Sequence, residues 1–139
     1  MTAHPKKVLP VWRLAICFSA ICFWIGAAAP ASPSNEGENV PAGIEVVRHA
    51  WRPDAVWERI GKTKFIWSAT VRNRSGARKR IFVYYDLLDD QEHPLASNVA
   101  NRTVEPGQTV DVVSDSYINS DLLPKVKSSR VTVKLGFPN

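Results

Sequence analysis

Five cations fall within nine residues, at Arg72, Arg74, Arg78, Lys79 and Arg80, and four carboxylates follow at Asp86, Asp89, Asp90 and Glu92. Clustered cations can hold an anion such as phosphate, lipopolysaccharide or nucleic acid. Nucleic-acid readers interleave those cations with aromatics that stack on bases, and the NRSGAR loop contains none, so nucleic acid is not an expected partner. The plainer reading is a solvated hairpin tip, with Asn73 and Gly76 tolerating positive φ, that discourages edge pairing. Two carboxylates about 5–10 Å apart could serve a glycosidase as acid and base or nucleophile. At about 3.3 Å per residue along a strand, however, Asp86 and Asp89 stand roughly 10 Å apart and face opposite ways. The residues around them lack the spacing and the glycine of a calcium loop, and a polar turn accounts for them.

The other reactive side chains add little. His49 and His93 are far apart in sequence and have no HExxH arrangement, so no metal is expected. No GxSxG elbow positions a serine nucleophile. NRS at Asn73 and NRT at Asn101 fit the glycosylation acceptor, which matters only in a eukaryotic secretory pathway. The residues support neither an enzyme nor a cofactor.

The N-terminus bears on compartment. Lys6, Lys7 and Arg13 precede Leu14–Ala29, sixteen uncharged residues, and small residues follow, in the order of a secretory signal. The apolar run is short for a membrane span, which needs about 20 residues. Pro30 disfavours a cut after Ala29, so the expected cut follows Ala31. An uncleaved anchor is the alternative, and only that reading puts the protein on a membrane. Cys17 and Cys22 lie inside the run, each after a bulky isoleucine rather than the small residue that a lipid-attached cysteine requires. Cleavage leaves a chain with no cysteine. The whole chain carries +5, but its first 31 residues hold three cations and no acid, so the remainder carries only +2. The basic balance is therefore mostly a property of the signal, and the expected location is periplasmic or secreted.

Residues 32–43 are rich in Pro, Gly, Ser and Asn and form a flexible leader; a single domain is expected over 44–139. There the hydrophobic pattern has period two. Phe65, Trp67, Ala69 and Val71 share one face of KFIWSATVRN. Ile81, Val83, Tyr85 and Leu87 share one face of RIFVYYDLL, with Phe82, Tyr84, Asp86 and Leu88 on the other. Pro53 is expected to end the first strand, LASNVANRTV is a weak strand, EPGQ is a turn, and Val131, Val133 and Leu135 alternate in the last strand. SYINSDLLPKVKSS is either a helical turn capped by Ser120 or a long loop. Six to seven short strands separated by turns predict an all-β, Ig-like antiparallel sandwich.

SATVRNRSGARKRIFVYYDLLDDQEHPLA followed by VEPGQTVDV resembles the small Ig-like domains of bacterial secreted proteins, including the FxLYD type. The shared pattern is a strand ending in V-x-N-x-S, a hairpin, a strand ending in a YD or LxD turn, then PG and another strand. It covers roughly residues 64–113. The resemblance implies a sandwich used as an accessory or interaction module, without an active site.

The aromatics point the same way. With Tyr85 in the core, Phe82 and Tyr84 face outward and, with Trp51 and Trp57, form a candidate surface for a protein or carbohydrate. Alternatively, the Trp51–Lys62 segment folds over Phe82 and Tyr84 and buries them. The sequence thus predicts an exported binding or assembly module of the cell envelope. Its alternatives are a hydrolytic protein using Asp86, Asp89 or Glu92, and a tethered accessory protein. It names neither the partner nor the oligomeric state.

Overall fold

The computed structural model describes residues 40–137. The expected signal segment, with Cys17 and Cys22, and most of the leader lie outside them. Six strands follow one another: β1 (Ile44–Trp57), β2 (Lys62–Asn73), β3 (Lys79–Leu88), β4 (Pro94–Val104), β5 (Thr109–Asn119) and β6 (Ser128–Leu135). Short 3-10 turns, Glu58–Ile60 and Leu123–Lys125, lie before β2 and β6. All neighbouring strands run antiparallel. One sheet has the order β1-β2-β5 and the other β4-β3-β6, an Ig-like β-sandwich of six strands.

Period-two patterning sets the core. Phe65, Trp67, Ala69 and Val71 of β2 and Ile81, Val83, Tyr85 and Leu87 of β3 are all fully buried. These are the central strands of their sheets, so their inner faces meet mid-sandwich; each large apolar side chain withdrawn from water contributes about 1.5–3 kcal/mol. Leu88 departs from the alternation. It is only 4 % exposed although it is not part of the core cluster, and it lies where the pairing with β4 skips Leu95.

Polar atoms join the layers. The Trp67 indole N–H donates to Asn98 Oδ1 at 3.0 Å, linking β2 to β4. On the other flank the Tyr85 hydroxyl donates to Ser129 Oγ at 3.1 Å and lies 3.3 Å from His49 Nδ1, linking β3, β6 and β1. Among the described residues no buried side-chain nitrogen or oxygen lacks a partner.

Several local expectations are corrected. Pro53 does not end β1, which continues to Trp57 through irregular pairings at 46–48 and 53–56. β1 is an edge strand, where a missing N–H can face away from the ladder. Ser120 caps no helix. Its hydroxyl bonds Thr63 Oγ1 at 2.9 Å, and Leu122 begins the 3-10 turn without a side-chain cap.

The largest correction concerns NRSGAR. β2 pairs with β1 and β5, whereas β3 pairs with β4 and β6, so the basic segment is an arch between sheets rather than a hairpin. Neither Asn73 nor Gly76 has positive φ. Asn73 works through its side chain, which is fully buried. Its amide nitrogen donates to Ala77 O at 2.8 Å and Val104 O at 3.0 Å, and its oxygen accepts from the Ser75 N–H at 2.9 Å and hydroxyl at 2.6 Å. The V-x-N-x-S pattern is thus an arch-forming device, and the folded state has no room for a glycan on Asn73. The neighbouring turn supports it: Gly107 follows Pro106 with φ +74°, and its N–H donates to Asn73 O at 2.8 Å.

Candidate binding surfaces at the two ends of the sandwich

Two of the four acidic residues, Asp86 and Asp89, are engaged in local structure. Asp86, on the outer face of β3, accepts from Ser97 Oγ at 2.6 Å and from Arg130 Nη2 at 3.2 Å. Asp89 accepts backbone N–H bonds from His93 at 2.8 Å and Gln91 at 2.9 Å. These bonds, that from His93 foremost, hold its carboxyl below the ordinary aspartate range. Asp89 therefore organises the β3–β4 turn, in which Glu92 takes φ +63°. Asp90 and Glu92 are exposed. His93 lies in that turn, 3.7 Å from Asp89, whereas His49 is buried between the sheets. Burial lowers the pKa of His49. Among the described residues no group of three His, Cys, Asp or Glu side chains is placed to share a metal ion.

The five cations separate. Arg72 bonds Thr109 Oγ1 at 3.1 Å on the outer face of the first sheet, and Arg74 pairs with Glu45 at 2.6 Å. Arg78, Lys79 and Arg80 line a groove of about 580 Å³ with Asn101 and Thr103 of β4 and residues 135–137 after β6. Arg78 is paired with Glu105 at 3.1 Å. The Arg80 guanidinium lies over the Phe82 ring, 5.7 Å from its centroid. Gly136 makes this packing possible. Its N–H donates to Arg80 O at 2.7 Å, and a Cβ there would meet Phe82 Cε2 at 3.0 Å.

The four candidate aromatics divide as well. Phe82 and Tyr84 share the outer face of β3, but cations partly cover them: Lys134 Nζ sits 5.1 Å from the Tyr84 centroid. Phe82 is half-buried and Tyr84 is 36 % exposed. The Trp51–Lys62 segment does not fold over them, because it belongs to the other sheet. Trp51 packs edge-on against Phe65 at 6.4 Å and joins the core. Trp57 alone of the four projects at the far end, edge-to-face with Tyr117 at 6.0 Å.

That end carries apolar surface which the period-two reading missed. Val56, Trp57 and Ile60 are 63, 51 and 57 % exposed, and Tyr117 is 41 % exposed. Ile60 lies in a 3-10 turn bounded by Gly61, where alternation says nothing about direction. The signal available was a large apolar residue between Arg59 and a turn glycine. Trp57 pairs with Lys62 at one end of the first sheet and Ile44 with Asn73 at the other. Asn73 bonds Val104, which pairs with Lys79, so the apolar tip and the cationic groove occupy opposite ends of the sandwich.

Comparisons with known proteins place the chain in no named family. No family model matches it, and no curated protein does. Among solved structures, it is similar to part of a beta-glucuronidase of glycoside hydrolase family 2, at 15 % identity and TM-score 0.47, over 52 % of this chain and 7 % of that one. It is similar to a Campylobacter jejuni protein at 18 % identity and TM-score 0.42, over 72 % of this chain and 94 % of that one. A DUF1425 family member from Shewanella sp. pv-4 matches at 12 % identity and TM-score 0.40, over 66 and 82 % of the two chains.

Proposed function

We propose that this chain is an exported, non-enzymatic module of the bacterial cell envelope, acting in the periplasm or outside the cell by binding or assembling with another envelope component. The observation that carries the reading is the apolar tip. Val56, Trp57, Ile60 and Tyr117 stand exposed at one end of the sandwich, outside its core cluster, and their uncovered surface is available to a partner. The signal-like N-terminus and the resemblance to FxLYD-type secreted domains support export. The partner surface is accordingly Trp57 and its neighbours, with the Phe82/Tyr84 face second.

Site-specific photo-crosslinking in intact cells tests this. A crosslinker at position 60 is expected to trap one envelope component, and Trp57→Ser is expected to abolish the adduct. Adducts from position 84 but not from 60 would move the surface to the β3 face. Adducts from neither would overturn the reading.

A further inference from the structure

The groove at the other end of the sandwich is not used by the apolar tip, and its chemistry differs. Arg78, Lys79 and Arg80 line the groove, three positive charges at the start of β3, with Arg80 on the outer face beside Phe82 and Lys79 in phase with Ile81. Glu105 offsets that of Arg78, while no carboxylate among the described residues lies within 4.0 Å of the basic nitrogens of Lys79 or Arg80. The local excess is close to two charges. That matches a phosphomonoester, which carries about −1.5 to −2 at neutral pH. Guanidinium groups present N–H pairs in a plane that fits two phosphate oxygens at once. Asn101 and Thr103, opposite Phe82 and Arg80 on β4, add neutral hydrogen-bonding groups along the same wall. Phe137, 92 % exposed at the rim, offers an aromatic face to the organic part of a ligand.

We propose that this groove is a binding site for a phosphomonoester carried on an organic body, with Arg80 bonding the phosphate, Arg78 and Lys79 adding positive charge at the end of β3, Asn101 and Thr103 bonding the remaining phosphate oxygens, and Phe137 covering the body. The geometry of Arg80 is prepared for this role. Its stem is held between Gly136 and Phe82, so its guanidinium needs little reordering when an anion arrives. The phosphate could be that of a soluble sugar phosphate or of a lipid headgroup.

Calorimetric titration of the purified full chain with glucose 6-phosphate, and with glucose as the uncharged control, tests the soluble source. Co-sedimentation with phosphatidic acid vesicles, against phosphatidylcholine vesicles, tests the lipid source. Saturable binding of either phosphate probe is expected, weakened about tenfold or more by Arg80→Gln, as the loss of a charge-assisted hydrogen bond implies. Lys79→Gln and Asn101→Ala are also expected to weaken it, so the test does not rest on one variant's folding; melting curves check each. Binding of glucose 6-phosphate assigns the soluble source, and vesicle binding that depends on Arg80 assigns the lipid. Absence of binding to both probes, or binding unchanged in all three variants, overturns the proposal. Trp57→Ser is expected to leave phosphate binding intact, so failure at the groove is distinguishable from failure at the tip.

Discussion

Trp67 and Tyr85 stack across the middle of the sandwich, with ring centroids 4.9 Å apart and planes inclined by 19°. Each comes from the central strand of its own sheet, and each sends its polar atom to a different flank: Trp67 to Asn98, Tyr85 to Ser129. Trp67→Ala is therefore expected to cost about 3–5 kcal/mol, as removal of a fully buried aromatic does. Tyr85→Phe keeps the stack and loses only the hydroxyl bonds, at about 1 kcal/mol. Urea unfolding of the two variants gives the order; equal losses would contradict it.

Stability is expected to fall at both ends of the pH scale, through the same buried contact. Burial lowers the pKa of His49, so below the ordinary value of 6.5 the unfolded chain takes up a proton before the folded one does. Stability is thus complete above pH 6.5 and is lost as pH falls through the folded value. Burial pushes the Tyr85 hydroxyl up to about 12, against an ordinary 10. Here the unfolded chain loses its proton first, so stability is lost between pH 10 and about 12. Thermal melts across both windows check this. Tyr85→Phe is expected to flatten the alkaline limb and His49→Gln the acid one.

Asn73 and Arg74 are adjacent, yet their substitutions should separate widely. Asn73→Ala removes a buried amide and strands Ala77 O, Val104 O and the Ser75 N–H at the arch, at about 3 kcal/mol. Arg74→Ala breaks an exposed ion pair with Glu45, worth less than about 1 kcal/mol. Chemical denaturation of both variants measures the difference.

Phe82→Ser is expected to destabilise more than Tyr84→Ser, although both face outward from β3. Phe82 is packed against Gly136 and under Arg80, whereas Tyr84 has only the Lys134 ammonium above it. Losses of about 2 and less than about 1 kcal/mol follow from the apolar surface involved. Melting curves of the pair are the measurement, and a larger loss at Tyr84 would show that its ring, not that of Phe82, is the one held by packing.

Much of the fold was legible because strand side chains alternate. That rule alone assigns Phe65, Trp67, Ala69 and Val71, and then Ile81, Val83, Tyr85 and Leu87, to the core, and it separates Asp86 from the interior. It failed at Leu88, which is buried although it lies on the outer side of β3 and outside the core cluster, and at Ile60, where a 3-10 turn has no alternation to follow. The candidate surfaces were less legible. The five cations of 72–80 fall within nine residues of sequence, but the arch sends Arg72 and Arg74 away from the groove and keeps Arg78, Lys79 and Arg80 along it. Trp51 and Trp57 were grouped with Phe82 and Tyr84 by residue type; they stand on the other sheet.

That the described domain is built from strands, and which side of most strands is dry, can be read from the residues alone, because burial of one face is a local property repeated every second residue. Which strands are neighbours is set by how the two sheets assemble. β2 and β3 are consecutive and joined by a short polar segment that would serve equally for a hairpin or an arch. The choice rests on Asn73 closing the arch and on Trp67 meeting Tyr85 face to face instead of edge by edge in one sheet. That choice turns a stretch expected to be a charged hairpin into the wall of a groove. Strand pairing draws on the same backbone groups whichever neighbour supplies them, whereas the meeting of two inner faces depends on the side chains they carry.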